Sequence, residues 1–128
     1  MSLRNKAVFI ILAYFIVQAI LNYDQREAVV GPYPVSGKAS WHASLITATG
    51  EHMDSDSLTC ALRKKDYGKY YMVCSMDNEK CVVVRHNDFG PGKRLFNQGR
   101  IIDLSRKAFL ELADLETGII NVTVTEIK

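Results

Sequence analysis

Short runs of alternating apolar and polar residues dominate the chain from residue 37 onward. The clearest run is the last, where Ile120, Val122 and Val124 alternate with polar residues, the period of a strand with one buried face. Clusters of Gly, Asp and Asn separate the runs and mark turns. Six strands are predicted, in KASWHA, LTCAL, KYYMVCSM, KCVVVRHN, GRIIDL and GIINVTVTEI. Many short strands with turn residues between them favour a small β-barrel.

One helix is predicted within this β-rich region. Ser105 is a good N-cap, and Gly118 is placed to end the helix. The segment between them, RKAFLELADLETG, has one broad apolar face, formed by Ala108, Phe109, Leu112, Ala113 and Leu115. We expect this face to pack against the barrel. Asp103 lies just before the cap, near the positive end of the helix dipole, so the acidic residue and the helix start come as a unit.

The N-terminal segment has a different pattern, a nearly continuous apolar run. Arg4 and Lys6 precede the run, which covers residues 7–21. Positive charge ahead of such a run is typical of an export or anchoring signal. Residues 17–19 offer a small-residue cleavage site, but residues 3–23 are also just long enough to span a bilayer. Both a cleaved signal peptide and a retained inner-membrane anchor are left open, with the anchor slightly favoured.

The chain length limits the number of domains. At 128 residues, it has room for one domain with a real core and is too short for two ordinary ones. A polar stretch with Gly31, Pro32 and Pro34 follows the apolar run and suits a linker. The predicted layout is a signal peptide or membrane anchor at 1–23, a linker at 24–36 and a barrel domain at 37–128.

The charge balance argues against nucleic-acid binding. Lys and Arg number 16 and Asp and Glu 14, which gives a net charge of +2. This small excess leaves no strong electrostatic footprint for a polyanion.

Three cysteines bear on the compartment. Cys74 and Cys81 flank SMDNEK, in which Asp77 and Asn78 are good turn residues. A hairpin here would bring the two sulfurs together, so we predict a disulfide in an exported chain. Cys60 is expected to be a small buried hydrophobe. The spacings do not match a zinc site, and neither a metal nor a cofactor is expected.

Asp88 is the most suggestive candidate for proton transfer; the others are Glu51, Asp103 and the three histidines. It follows three consecutive valines, which suggest a strand buried on both faces, and it precedes a Gly-Pro-Gly turn. Burial raises the pKa of a carboxyl group toward the range of a general acid. The simpler interpretation, that Asp88 only hydrogen-bonds the turn amides, is favoured by the local sequence alone.

Several motifs together resemble one known family. GKASWHA, TATGEHMD, LTCAL, YGKYYMV, CVVVRHNDFGP and GRIIDLSRKAFLELA occur in that order. They are similar to the signatures ASWYG, TANGE, LTAAH, FG, VRVNDRGP and GRIIDLS of the rare lipoprotein A (RlpA-like) lytic transglycosylases. The similarity runs from Gly37 to about Glu126, and its most specific part is NDFGP followed by GRIIDLS.

The resemblance implies a mainly β fold, a six-stranded double-psi β-barrel, here with one packed helix and an N-terminal hydrophobic helix. It also implies action on peptidoglycan glycan strands. Active members cleave the bond between N-acetylmuramic acid and N-acetylglucosamine and form a 1,6-anhydro ring without water. Asp88 and Glu51 match the family's acidic residues and are the implied catalytic pair, with Asp88 as the acid. Asp103 matches a family Asp and is given the structural role of ordering the loop and the helix start. Trp41, His42 and Asn87 are the expected substrate-binding residues, with Trp41 left open between stacking on a sugar ring and packing in the core.

Two departures from the family bear on activity. Leu62 replaces the histidine of LTAAH, and Phe89 replaces the arginine of NDRGP. Leucine cannot donate, accept or carry charge, so the role of that histidine must be lost or moved to His42, His52 or His86.

Other functions remain open at this point. The same barrel occurs in expansins and barwin-like proteins, so a non-catalytic glycan-binding or wall-loosening module is the main alternative. A structural component of an envelope-spanning secretion or virion assembly is a further one. In each case the expected location is the periplasm or cell envelope, and the expected partners are peptidoglycan, the membrane through the N-terminal segment and envelope complexes.

Overall fold

The structure of the protein is a computed structural model that describes residues 3–27, 33–43, 46–52 and 56–128. The chain forms two compact units, Met1–Pro32 and Tyr33–Lys128. The first contains helix α1 (Leu3–Glu27), which extends beyond the predicted boundary at residue 23. Within the described ranges, no helix is sufficiently long and apolar to cross a membrane. The signal peptide or membrane anchor at residues 1–23 stays a prediction.

The second unit is a closed six-stranded barrel, and every predicted strand is present. The order around the barrel is β1-β5-β2-β4-β3-β6. Two neighbouring pairs, β1 with β5 and β2 with β4, are parallel, and the other four are antiparallel. The strands are β1 (Val35–Trp41), β2 (Thr59–Leu62), β3 (Tyr70–Ser75), β4 (Cys81–Phe89), β5 (Arg100–Leu104) and β6 (Ile119–Ile127). The double-psi barrel expected from the sequence is confirmed.

The barrel interior is filled by the inward side chains of the alternating strands. In β6, Ile120, Val122 and Val124 are buried, as their spacing predicts. The prediction that β4 is buried on both faces is wrong, because Val83 is 45% exposed. Its neighbours Val82 and Val84 point into the core, so this part of β4 has one face toward the barrel interior and one toward solvent.

The predicted helix after Ser105 is real but shorter than expected. Helix α2 (Lys93–Asn97), which the sequence did not predict, precedes β5, and α3 (Arg106–Leu110) follows it. The side chain of Ser105 accepts a hydrogen bond from the Ala108 amide, as an N-cap does. A 3-10 turn, Leu115–Thr117, then leads to Gly118, which has a φ of 73°. Helix α3 ends at Leu110, and Asp114, with an extended backbone (ψ of 143°), begins the 3-10 turn.

The predicted disulfide between Cys74 and Cys81 is confirmed. The two residues are cross-strand partners in the β3–β4 hairpin. Asn78 in the turn donates a hydrogen bond from Nδ2 to the carbonyl of Leu112, 3.0 Å away, which ties the hairpin to the segment after α3. Cys60 is buried and unpaired with any other cysteine, as expected, and its burial raises the pKa of the thiol.

The strand order brings distant acidic residues together. Strand β2 lies between β4 and β5, so Ala61 is aligned with Asp88 on one side and with Asp103 on the other. The register of β2 and β4 shifts between Cys60 and Ala61, because Cys60 is aligned with His86 and Ala61 with Asp88. The residue between them, Asn87, is therefore extra in the ladder, as in a β-bulge. The pairing sets both carboxyl groups beside one small alanine.

Replacing both Cys74 and Cys81 by serine should destabilise the barrel. The disulfide closes a loop with a sequence separation of 7 residues. A loop of this size reduces the entropy of the unfolded chain by an amount that corresponds to about 2.5 kcal/mol. The free energy of unfolding, measured in urea, should fall by about this amount. A reductant should lower the stability of the wild type alone; an equal response of the double variant would contradict this account.

Candidate active site

Asp88 lies near the end of β4 with one carboxylate oxygen held by the main chain. Its Oδ1 accepts hydrogen bonds from the amides of Ala48, at 2.9 Å, and Phe89, at 2.8 Å. The bond from Phe89 is the turn contact that the simpler interpretation predicted. The bond from Ala48 comes from a different part of the chain, the 46–52 loop. With Oδ1 fixed in this way and the side chain 15% exposed, Oδ2 remains for other contacts.

His42 sits between two carboxyl groups. Its Nε2 is 3.4 Å from Oδ2 of Asp88, and its Nδ1 is 3.9 Å from Oδ2 of Asp103. Among the described residues, Nδ1 is buried and has no hydrogen-bond partner. The histidine follows β1 directly, and its side chain is 30% exposed. An imidazole in this position can hydrogen-bond Asp88 and accept or release a proton there.

Asp103 belongs to the same group of side chains as Asp88 and His42, which the local sequence did not indicate. Its Oδ1 accepts a short hydrogen bond from the hydroxyl of Ser40, and Nη1 of Arg100 lies 3.4 Å from the same hydroxyl. Its Oδ2 faces His42. A Cβ atom on Gly90 would lie 3.7 Å from this oxygen, so the turn after Asp88 passes close to it. The local sequence pointed only to the start of the helix, since β1 and β5 are far apart along the chain.

Glu51 is bound to an arginine and does not face Asp88 in any described contact. Its two oxygens pair with the guanidinium of Arg85 at 2.8 and 2.7 Å, and Thr49 donates a further bond at 3.2 Å. The hydrogen bonds from Arg85 lower the pKa of Glu51 to about 2, against a smaller opposing effect of burial. A carboxylate this acidic is a poor proton donor near neutral pH. The ion pair instead fastens the 46–52 loop to β4.

The remaining predicted binding residues are largely covered. Asn87 is 3% exposed, and its side chain hydrogen-bonds Glu51 and helps to lower its pKa. Trp41 is partly buried against the core, and its indole N–H donates to the carbonyl of Leu115 at 3.0 Å. The structure therefore groups Asp88, His42 and Asp103 in one cluster. Trp41, Asn87 and Glu51 lie outside this cluster and contact neighbouring residues. Their roles in substrate binding stay predictions.

The two residues that depart from the family motif, Leu62 and Phe89, lie in different environments. Leu62 is 1% exposed and belongs to the hydrophobic core, so its position offers no polar group. Phe89 is 42% exposed, and the guanidinium of Arg63 lies 5.2 Å from the centroid of its ring. Nη1 of Arg63 also donates to the carbonyl of Pro91 at 3.0 Å. This arginine, which sequence reasoning missed, fixes the turn after Asp88.

The other two histidines are not in the cluster. His52 is exposed and pairs with Ile46 in an isolated β-bridge. His86 is fully buried on β4, and its Nε2 is 2.8 Å from the main-chain oxygen of Asp88. Of the three histidines, His42 is thus the one whose ring meets the carboxylate of Asp88.

Comparison with known proteins agrees with this fold. The family described as "Lytic transglycolase" matches residues 35–124. The chain belongs to this family. The match covers the whole barrel up to Val124 and includes the three residues of the cluster, His42, Asp88 and Asp103.

Curated relatives of this lytic transglycolase domain confirm the RlpA-like resemblance. The protein from Vibrio cholerae named endolytic peptidoglycan transglycosylase RlpA is 40% identical over 93 residues, which are 70% of this chain and 34% of the relative. The protein of the same name from Pseudomonas aeruginosa is 38% identical over 96 residues, 72% of this chain and 27% of the relative. The chain thus spans about a third of the length of these relatives.

Solved structures similar to the lytic transglycolase domain share its fold. The Streptomyces papain inhibitor superposes with a TM-score of 0.59 at 23% identity and covers 73% of this chain and 94% of its own. A mutant of the Clavibacter michiganensis expansin, crystallised with cellohexaose, gives a TM-score of 0.57 at 19% identity, with 73% and 50% covered. At these identities the likeness establishes the barrel architecture.

The pair of Glu51 and Arg85 should make stability depend on acid pH. The pKa of Glu51 falls from its ordinary value of 4.5 to about 2 on folding, so the carboxylate stabilises the folded state above pH 4.5. That contribution is lost as the pH falls toward 2. Because the pair is partly exposed, the difference between wild type and Glu51→Gln should be at most about 1 kcal/mol near pH 6.

Urea unfolding at pH 6 and at acid pH would measure this difference. In an Arg85→Met background the Glu51→Gln substitution should change little at either pH, because the partner is gone. An undiminished effect of Glu51→Gln in that background would show that the ion pair is not its cause.

Proposed function

We propose that this domain cleaves the glycan strands of peptidoglycan by lytic transglycosylation, with Asp88 acting first as acid and then as base. Membership of the lytic transglycolase family and the names of the RlpA relatives support this activity. The observation that carries the proposal is the geometry of Asp88, whose Oδ1 is held by two main-chain amides while Oδ2 faces His42.

In the first step, Asp88 donates its proton to the oxygen that links N-acetylmuramic acid to N-acetylglucosamine. The bond between this oxygen and C1 of the muramic acid breaks, and the carboxylate left on Asp88 is stabilised by the amides of Ala48 and Phe89. In the second step, the 6-hydroxyl of the same muramic acid attacks C1 and returns its proton to Asp88. A 1,6-anhydro ring forms, no water is consumed, and the acid is restored.

His42 takes the part that an imidazole at position 62 would otherwise play. Asp103 lies on the Nδ1 side of the ring, and Nε2 faces Asp88. This order of carboxylate, imidazole and acid is the logic by which one group orients a proton carrier toward another. We assign His42 to holding Oδ2 of Asp88 in place through Nε2, and Asp103 to orienting His42.

Glu51 is better described as a positioning residue than as the second catalytic group. Its ion pair with Arg85 fastens the loop whose Ala48 amide binds Asp88. Loss of the pair would loosen the loop and with it the hold on Oδ1.

The proposed place of action is the cell envelope outside the cytoplasm. The Cys74–Cys81 disulfide requires an oxidising compartment to persist, and peptidoglycan lies in the envelope. The charged and apolar residues of segment 1–23 would supply export, and 24–36 would link it to the barrel. Peptidoglycan glycan strands are the proposed partner.

Digestion of purified sacculi tests the activity and the choice of acid. The wild type should release products ending in 1,6-anhydro-muramic acid, detected by mass spectrometry. Asp88→Asn keeps an oxygen for the two amides but cannot transfer the proton, so the rate should fall by a factor of about 10² to 10⁴. Asp77→Asn, a matched change in the distant hairpin turn, should leave the rate unchanged. Equal rates for Asp88→Asn and wild type would exclude Asp88 as the acid.

Replacing His42 by alanine tests the imidazole. The rate should fall by a factor of roughly 10² or more, and added free imidazole should restore part of it by filling the space between Asp88 and Asp103. The exposed His52 offers the control, since His52→Ala should neither lose activity nor respond to imidazole. Full activity of His42→Ala would rule out this role.

A second function, a glycan-binding module without catalysis, is favoured by one observation. Leu62 occupies the motif position of the family's histidine and is buried in the core. The sacculus assay separates the two functions: a wild-type domain that pellets with sacculi but yields no anhydro products is a binding module.

A further inference from the structure

His86 is a buried polar residue that the proposed chemistry does not use. It lies on β4 two residues before Asp88, is 0% exposed, and has the rings of Tyr67 and Tyr71 around it at centroid distances of 5.0 and 6.2 Å. The family signature VRVND has valine at this position, so the histidine is a feature of this chain. A buried imidazole must find hydrogen-bond partners for its nitrogens, and both are satisfied here.

The two partners fix where the ring protons are. Nε2 lies 2.8 Å from the main-chain oxygen of Asp88, which only accepts, so Nε2 carries a hydrogen. Nδ1 lies 2.7 Å from Oδ1 of Asp66. If Asp66 is ionised, it also only accepts, and Nδ1 must carry a second hydrogen.

Asp66 is held in the ionised form. Burial acts to raise the pKa of its carboxyl, but hydrogen bonds from Tyr71 and Lys64 outweigh burial, and the net effect is to lower the pKa. The Tyr71 hydroxyl donates a short hydrogen bond to Oδ2, and Nζ of Lys64 lies 3.0 Å from the same oxygen. Lys69 adds a cation at 3.9 Å. With Oδ2 occupied by these groups, Oδ1 serves His86.

We propose that His86, kept protonated on both ring nitrogens by Asp66, is a positioning residue that fixes the main chain of Asp88 through its Nε2–H. This role of His86 adds to the proposed transglycosylase function and rests on it to the extent that Asp88 is the acid. His86 acts through the backbone and touches no substrate.

The hydrogen bond from His86 to the main chain of Asp88 lies beside an irregularity in strand β4. The ladder between β2 and β4 is irregular at Asn87, and an extra residue in a ladder leaves the strand locally less constrained. Beyond Asp88, the chain turns at Gly90 and Pro91, and proline has no amide hydrogen to donate. The Nε2–H of His86 donates from inside the barrel and therefore holds the main chain at Asp88, the residue whose carboxyl group must be aimed.

Nuclear magnetic resonance of the full chain with ¹⁵N-labelled histidine tests the ring state without substrate. Both nitrogens of His86 should show the shifts of protonated nitrogen at pH 7, with assignments from His42→Ala and His52→Ala. Asp66→Asn removes the charge but keeps the shape, so Nδ1 should lose its hydrogen while Nε2 keeps its own. An unprotonated ring nitrogen of His86 in the wild type at pH 7 would overturn the proposal.

His86→Val tests the positioning of Asp88, because it removes the Nε2–H. The amide resonances of Ala48 and Phe89 should shift in this variant, since both amides bind Asp88, and should stay in place in Asp66→Asn, which keeps the Nε2–H. Sacculus digestion by His86→Val should fall about tenfold to a hundredfold in kcat with KM unchanged, the scale expected of a misplaced acid. Ser75→Ala, a buried polar change at the far end of β3, should lower stability without changing kcat.

The outcomes separate the two proposals. Unmoved Ala48 and Phe89 amides, or a loss of kcat no larger than that of Ser75→Ala, would reduce His86 to a structural residue. If the wild type cleaves no glycan, the proposed function fails, but the ring state and the amide shifts still decide whether His86 fixes Asp88.

Discussion

The alignment of Ala61 with Asp88 and Asp103 is the constraint on which the rest of the site depends. Strand β2 lies between β4 and β5; it is parallel to β4 and antiparallel to β5. The acidic residues therefore come from opposite sides of one short strand, and a small residue between them leaves room for an imidazole. Closing the barrel brings β1 next to β5, which places His42 between the two carboxyl groups.

Electrostatics then distinguishes the three acidic residues of the region. Glu51 forms a partly exposed ion pair with Arg85, and its carboxyl group stays ionised near neutral pH. Asp88 and Asp103 have neither lysine nor arginine among their described ion pairs and share a histidine instead. A group that must give up and regain a proton is served better by a titratable neighbour than by a permanent cation, because the proton can then be exchanged within the site.

Most of the fold, but only part of the site, follows from the sequence. The strands could be predicted because alternation and turn residues are local signals, and the disulfide because its cysteines flank one turn. The end of α3 at Leu110 could not be predicted, because the apolar positions continue past it through Leu115. The contact of His42 with Asp88 spans 46 positions and depends on strand order, which no local pattern records.

Three residues near Asp88 depart from the family motif, and the structure shows what surrounds each of them. At residue 62 the chain has an apolar side chain that completes the core, while the imidazole of His42, just after β1, lies against Asp88. At residue 89 the guanidinium is lost, yet Arg63 brings another to the ring of Phe89 and to the turn. At residue 86 a histidine enters the barrel together with the carboxylate that satisfies it. At residues 62 and 89 an imidazole or a guanidinium group thus lies nearby on another element, whereas at residue 86 the new imidazole is paired with Asp66.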